Sequence, residues 1–213
     1  MTIFDSDCVR CTRISTYLRQ IRNRYPDYHA RPVPAFGVKA PRLFIVGLAP
    51  GLHGANATGR PFTGDYAGIL LYETLHRYGY SNKALAEHAK DGLKLSNCRI
   101  TNAVKCLPPG NKPTGDEIKN CNGYLQAELQ ALGNGCTILA LGRIAHLAVL
   151  KALGLKQQAY PFAHGRCHQL DRDCWLVDSY HCSRYNTQTG RLTESMFHAV
   201  FDKIRDLYKQ SGN

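Results

Sequence analysis

Four short apolar-rich runs punctuate the chain, and longer stretches with a different rhythm separate them. The first run, Leu43-Phe44-Ile45-Val46, contains no polar position and enters glycine directly. A strand with no polar face is buried on both sides, which places it centrally in a mostly parallel sheet. Runs at 98–104, 136–141 and 175–178 supply three further strands. Between them apolar residues recur at helical spacing. Ile14, Leu18 and Ile21 share one face of a first helix, and Ile69, Leu70 and Leu75 mark another over 66–78. Thr114-Gly115-Asp116-Glu117 matches a capping box, ahead of the stripe Ile118, Cys121, Leu125, Leu129 and Leu132. A helix over 144–153 stops at Gly154, and Thr193 caps a last one with Phe197, Val200, Phe201, Ile204 and Leu207 inward. A short helix is expected over 82–89. Residues 25–42, with four prolines, read as extended chain, and 158–174 as a short hairpin or irregular strand. The expectation is a single α/β domain over 1–213, a three-layer α/β/α sandwich on a central four-stranded, mostly parallel sheet. Loops after the first, second and fourth strands should converge at one edge.

Everything after the first strand changes character. From Gly47 through Gly64 the chain carries five glycines and two prolines, then helical spacing resumes after Asp65. Strand, glycine-rich loop, helix is the place where open α/β sheets bind ligands. An ordinary surface loop is the plain alternative. A phosphate loop is excluded, because neither G-x-x-x-x-G-K-[ST] nor G-x-G-x-x-G occurs in it. The polar side chains His53, Asn56, Thr58, Arg60, Thr63 and Asp65 surround one aromatic, Phe62. Polar edge plus aromatic face is how a pocket holds a nucleobase. Asn102, near the end of the second strand, adds to this. A buried amide needs partners, from a backbone group or from a ligand.

Charge narrows the class of partner. Lys and Arg number 27 against 16 Asp and Glu, a net charge of +11. A basic surface suits a polyanion and makes binding salt-sensitive. No apolar run approaches the roughly 18 residues of a membrane span. The N-terminal residues lack the basic start and apolar core of a signal peptide, so a cytoplasmic protein without membrane association is expected.

Nine cysteines, an odd number in such a chain, argue against a disulfide framework. Cys8 and Cys11 form a C-x-x-C, while Cys106 and Cys121 bracket a proline-rich loop far downstream. A redox pair is the alternative for Cys8 and Cys11, but no strand precedes them. The four together fit a zinc site or a [4Fe–4S] cluster, and spacing by itself favours zinc. Cys98, Cys136, Cys174 and Cys182 lie in or beside strands and read as buried structural residues.

Three stretches resemble a known family. Gly47-Leu48-Ala49-Pro50-Gly51, with Gly54-Ala55-Asn56 and Thr58-Gly59-Arg60-Pro61-Phe62-Thr63-Gly64-Asp65, is similar to the first motif of uracil-DNA glycosylases, and more narrowly of family 5. Thr101-Asn102-Ala103-Val104-Lys105-Cys106 resembles that family's central motif, and His181-Cys182-Ser183-Arg184-Tyr185-Asn186 its second catalytic motif. Tyr28-His29-Ala30-Arg31-Pro32-Val33-Pro34 resembles its N-terminal stretch. The motifs occur in the family's order over nearly the whole chain.

The resemblance implies an enzyme that hydrolyses the N-glycosidic bond of uracil in DNA. It implies that Phe62 stacks on the flipped base, Asn102 reads its Watson–Crick edge and His181 donates toward the pyrimidine O2. Asp65 would position water and offset positive charge on the sugar. Gly47, Leu48, Ala49, His53 and Asn56 would line the base pocket, and Arg60, Ser183, Arg184 and Asn186 would contact DNA. The loop over 182–189 would fill the gap left in the duplex. The resemblance also turns the cysteine reading from zinc to a [4Fe–4S] cluster on Cys8, Cys11, Cys106 and Cys121. The expected partner is DNA containing uracil or other deaminated bases such as hypoxanthine, bound by a monomer.

Most glycosylase families place a polar residue just after the opening glycine of the first motif. Leu48 and Ala49 offer none, as in family 5, so water activation lies among Asp65, His53, Asn56 and a dissociative route with little base help. Two rival readings are a non-catalytic nucleic-acid-binding protein with a four-cysteine metal site, and a nucleotide hydrolase on the same architecture.

Overall fold

The computed structural model describes residues 3–133, 135–171 and 173–210. Its sheet has six strands: β1 (Phe36–Gly37), β2 (Leu43–Gly47), β3 (Cys98–Asn102), β4 (Thr137–Leu141), β5 (Cys167–Gln169) and β6 (Trp175–Ser179). The spatial order is β1-β3-β2-β4-β6-β5. The four expected strands form the parallel centre. Short antiparallel strands β1 and β5 close the two edges, so the four-stranded expectation becomes a six-stranded mixed sheet. β1 is two residues long and lies in the proline-rich stretch, where no periodicity can show.

Strand β2 is buried along its whole length, as its unbroken apolar run requires. Leu43 and Ile45 face one layer, and Phe44 and Val46 the other. Against the first face pack α3 (Tyr66–Arg77) and α7 (Glu194–Gln210), through Leu71, Leu75, Phe197, Phe201 and Ile204. Against the second pack α4 (Gly115–Gln130) and α5 (Arg143–Ala152), through Leu125, Leu129, Ala145, Ala148 and Val149. Each fully buried Leu, Ile, Val or Phe contributes roughly 1.5–3 kcal/mol. A smaller cluster joins α1 (Thr12–Arg24), by Ile14, Leu18 and Ile21, to Val104, Leu107 and Tyr124. The capping box of α4 is present with both of its hydrogen bonds.

The chain runs from β2 to β3 on one side, then returns to place β4 on the other side of β2. Strand order therefore reverses between β2 and β4. In open α/β sheets this switch point opens a crevice beyond the carboxyl ends of the strands.

The helix expected over 82–89 does not form. The Asp91 carboxylate accepts backbone N–H groups of Glu87, His88 and Leu93, which gives this segment a turn-rich course instead. Among the described residues, no helix is long and apolar enough to cross a membrane.

Candidate active site

A cavity of about 440 Å³ occupies the switch point. Leu48 and Ala49 line it from the loop after β2, Asn102 from the end of β3, and Leu141, Gly142 and Arg143 from the turn after β4. Phe62 and Asp65 enter from the glycine-rich loop, and His181 and Ser183 from the loop after β6. All three motif stretches therefore meet in one place.

Phe62 is 5% exposed and sits at a φ of +53°. A bulky residue in this left-handed region costs about 1–3 kcal/mol and needs surroundings that hold it there. Those surroundings are specific. The Tyr72 hydroxyl donates to the Pro61 carbonyl at 2.9 Å, and Arg60 Nε donates to Thr63 Oγ1 at 2.7 Å. The Phe62 ring lies 5.8 Å from the His181 ring at an interplanar angle of 28°.

Asn102 is 3% exposed, and its Oδ1 is buried with no hydrogen-bond partner. Leaving such an acceptor unpaired costs about 1–3 kcal/mol, and a ligand with a donor at that point recovers it. Burial alone drives the His181 pKa down from 6.5 to about 4. The ring is thus neutral near pH 7 and holds one N–H to donate.

Asp65 has two roles at once. Its Oδ1 caps α3 by accepting the Gly68 N–H at 2.9 Å, while its side chain lines the cavity. Burial raises its pKa, partly offset by backbone N–H groups of Gly68 and Ala67. Gly54 makes room for it: a Cβ there would stand 2.5 Å from Asp65 Oδ2.

Gly47 is not among the residues that line the cavity, and three further expected site residues lie elsewhere. His53 accepts or donates at 2.8 Å to the Tyr28 hydroxyl and lines the neighbouring groove, not the cavity. Asn56 is fully buried, with Nδ2 donating to the Leu52 carbonyl at 3.4 Å, and does not line the cavity either. Arg60 is 4% exposed and donates to both Asp91 oxygens, at 2.9 and 2.5 Å. Its guanidinium holds the Asp91 carboxyl well below the usual range. It braces the Phe62 loop from inside and presents no charge to a phosphate. Among the remaining expected DNA contacts, Arg184 is exposed, 5.3 Å over the Tyr66 ring. Ser183 caps α6 (Arg184–Gln188), and Asn186 Nδ2 donates to the His181 carbonyl at 2.8 Å, which ties α6 to the segment that follows β6.

Sequence reasoning passed over the turn after β4, which supplies Leu141, Gly142, Arg143, Ile144 and Ala145 to the cavity wall. Its position at a strand's carboxyl end was the available signal. Tyr185, in the third motif stretch, projects 70% exposed from α6, four residues after His181.

On the other side of β3's exit loop, Cys8, Cys11, Cys106 and Cys121 all line one small cavity. The Lys105 backbone N–H donates to Cys121 Sγ at 3.2 Å, and Asn120 Nδ2 to Cys11 Sγ at 3.9 Å. Burial is the first cause pushing Cys106 up and Cys121 to about 11, and the neighbouring sulfurs add to it. Four cysteines lining one cavity, with an N–H donor on Cys121 and another on Cys11, could hold a metal group, whose charge would deprotonate them. Cys98, Cys136 and Cys182 are buried, and Cys174 is half-buried.

A cavity at the switch point of the mixed sheet is thus walled by an aromatic ring, a buried unpaired amide oxygen and a neutral imidazole. The profile of the Uracil DNA glycosylase superfamily matches residues 34–205. The Type-5 uracil-DNA glycosylase of Thermus thermophilus is 43% identical over 205 residues, covering 94% of this chain and 93% of that protein. The Type-5 uracil-DNA glycosylase of Pyrobaculum aerophilum is 41% identical over 191 residues, covering 88% and 83%. The crystal structure of WT Pedobacter heparinus SMUG2 superposes with a TM-score of 0.48 at 14% identity, over 82% of this chain and 77% of that one, and carries no weight here. The chain belongs to the uracil-DNA glycosylase superfamily, with type-5 enzymes among its relatives.

Proposed function

We propose that this protein excises uracil from DNA by hydrolysing its N-glycosidic bond, leaving an abasic site. The observation that carries the reading is the buried, unpaired Oδ1 of Asn102 in a cavity shared with Phe62 and His181. Uracil presents an N3–H donor on its Watson–Crick edge, which is the partner this oxygen lacks. The base leaves the duplex at a cost of a few kcal/mol and stacks on Phe62. As the glycosidic bond breaks, negative charge gathers on the base, and the His181 N–H offsets it at O2. One such donor is worth roughly 2.7–4 kcal/mol. Asp65, the one of the three side chains considered for water activation that lines the cavity, offsets positive charge on the sugar and holds water.

Outside the cavity, Arg184 meets phosphate, and the exposed Tyr185 fills the space the base vacates. Ser183 and Asn186 hold this loop in place from within. The cavity's size suits a purine as well as a pyrimidine, so other deaminated bases such as hypoxanthine belong to the proposed range. Cys8, Cys11, Cys106 and Cys121 would hold a [4Fe–4S] cluster, which when bound crosslinks the start of α1, the loop after β3 and α4. Single-turnover excision from duplex DNA carrying one uracil, by protein of measured iron content, tests the reading.

A further inference from the structure

A second group of metal-binding side chains lies away from both the base cavity and the cysteines. His146 comes from α5, His168 from β5 and Asp178 from β6, and one ligand atom from each lies within 4.8 Å of the others. Leu176, opposite His168 in the β5–β6 ladder, packs on α5. Asp178, two residues further on, shares that face. The side chains of His146 and Asp178 are fully buried and that of His168 is 9% exposed.

The hydrogen bonds among them do not balance. His146 meets two acceptors, the Asp178 carboxylate from Nδ1 at 2.7 Å and the Tyr160 carbonyl from Nε2 at 2.8 Å. As a neutral imidazole His146 has one N–H and serves only one of them, and serving both takes a buried imidazolium paired with Asp178. His168 Nε2 is buried with no hydrogen bond at all, 3.5 Å from Asp178 Oδ2. A cation between the three groups resolves both problems. It takes the lone pairs of His146 Nδ1 and His168 Nε2 and one carboxylate oxygen. The remaining N–H of His146 then donates to the Tyr160 carbonyl, the outer contact that orients metal-bound histidines.

We propose that His146, His168 and Asp178 form a metal site for a borderline divalent ion of the zinc class. Two imidazoles and a carboxylate are a known zinc ligand set, with a fourth position left for water. The ion pins edge strand β5 and β6 to α5. Ala145, beside His146, lines the base cavity, and β6 leads directly into His181. The site therefore holds two walls of that cavity in register without touching the base.

The test uses the iron-loaded protein, given one equivalent of zinc chloride and dialysed against a weak chelator. Metal analysis and zinc K-edge X-ray absorption are then recorded. The expected result is one retained zinc per chain with nitrogen and oxygen neighbours, imidazole scattering and no sulfur. His168→Gln is expected to weaken zinc retention by more than about 10-fold, the loss that removing even an outer-shell partner causes, with iron content unchanged. Three results overturn the proposal: no zinc retained, zinc with sulfur neighbours, or wild-type retention by His168→Gln. The absorption spectrum of the unaltered protein decides the matter even where the variant folds poorly. No retained zinc would leave a metal-free pair of His146 and Asp178 as the account of the cluster.

Discussion

Gly47 and Asn102 stand opposite each other at the carboxyl ends of β2 and β3, and a Cβ on Gly47 would lie 2.4 Å from Asn102 Oδ1. The same Cβ would lie 2.6 Å from Phe62 Cζ. The Asn102 amide and the Phe62 ring thus close on the one position in β2 that has no side chain. Gly47→Ala is expected to push both walls outward. Excision should fall by about 10²-fold, the cost of misplacing reacting groups by about 1 Å. Stability should drop by about 1–3 kcal/mol from overpacking. Single-turnover kinetics and urea denaturation check the two effects, and a normal rate would separate Gly47 from the site.

Asn102→Leu should divide stability from function. It removes a buried acceptor that has no partner in the free protein, so thermal stability is expected to hold or rise. Excision is expected to be lost. Thermal denaturation alongside the excision assay tests this, and retained excision would remove Asn102 from its role as base reader.

His181 and Asp65 set two separate pH dependences, one of stability and one of rate. His181→Ala should slow excision by about 10²-fold or more, as loss of an oxyanion donor does. Its folded pKa, about 4, is below the ordinary 6.5. Between these values the unfolded chain binds the proton and the folded chain does not, so stability rises with pH across that window. His181→Ala should flatten this rise in urea denaturation measured from pH 4 to 7. In the proposed mechanism Asp65 acts as the anion, and burial raises its pKa from 3.8. The excision rate should therefore fall as pH drops through that raised value, and Asp65→Asn should lose this limb along with most of the rate.

Cys106→Ser tests the cysteine cavity. Cys106 lies in the loop that leaves β3 after Asn102, and it lines the cavity with the other three cysteines. The variant is expected to lose iron and folding yield together, by metal analysis and soluble expression. Full iron with normal yield would take Cys106 out of the ligand set.

Much of this was legible in the chain because it is written locally. The β2 run, the capping box at Thr114 and Glu117, and the helical stripes depend on neighbours within a few residues. Their elements appear within a residue or two of expectation, and the second strand ends at Asn102 rather than 104. What stayed hidden depends on distant partners. Arg60 reads as a free cation until Asp91, 31 residues on, is folded against it. The segment over 82–89 reads as helical until that same carboxylate takes its backbone N–H groups. His53 and Asn56 sit in the right loop, but the loop's path turns them away from the cavity. Strand β1 is too short to carry a period. The metal-binding triad joins residues from α5, β5 and β6 that share no motif.

Release of free uracil from a duplex bearing a single uracil, in a single turnover by iron-loaded protein, tests the central claim most directly. The account predicts stoichiometric uracil and an alkali-labile abasic site, with the rate collapsing in His181→Ala. Folded, iron-loaded protein that binds the duplex yet releases no uracil, hypoxanthine or xanthine would contradict it.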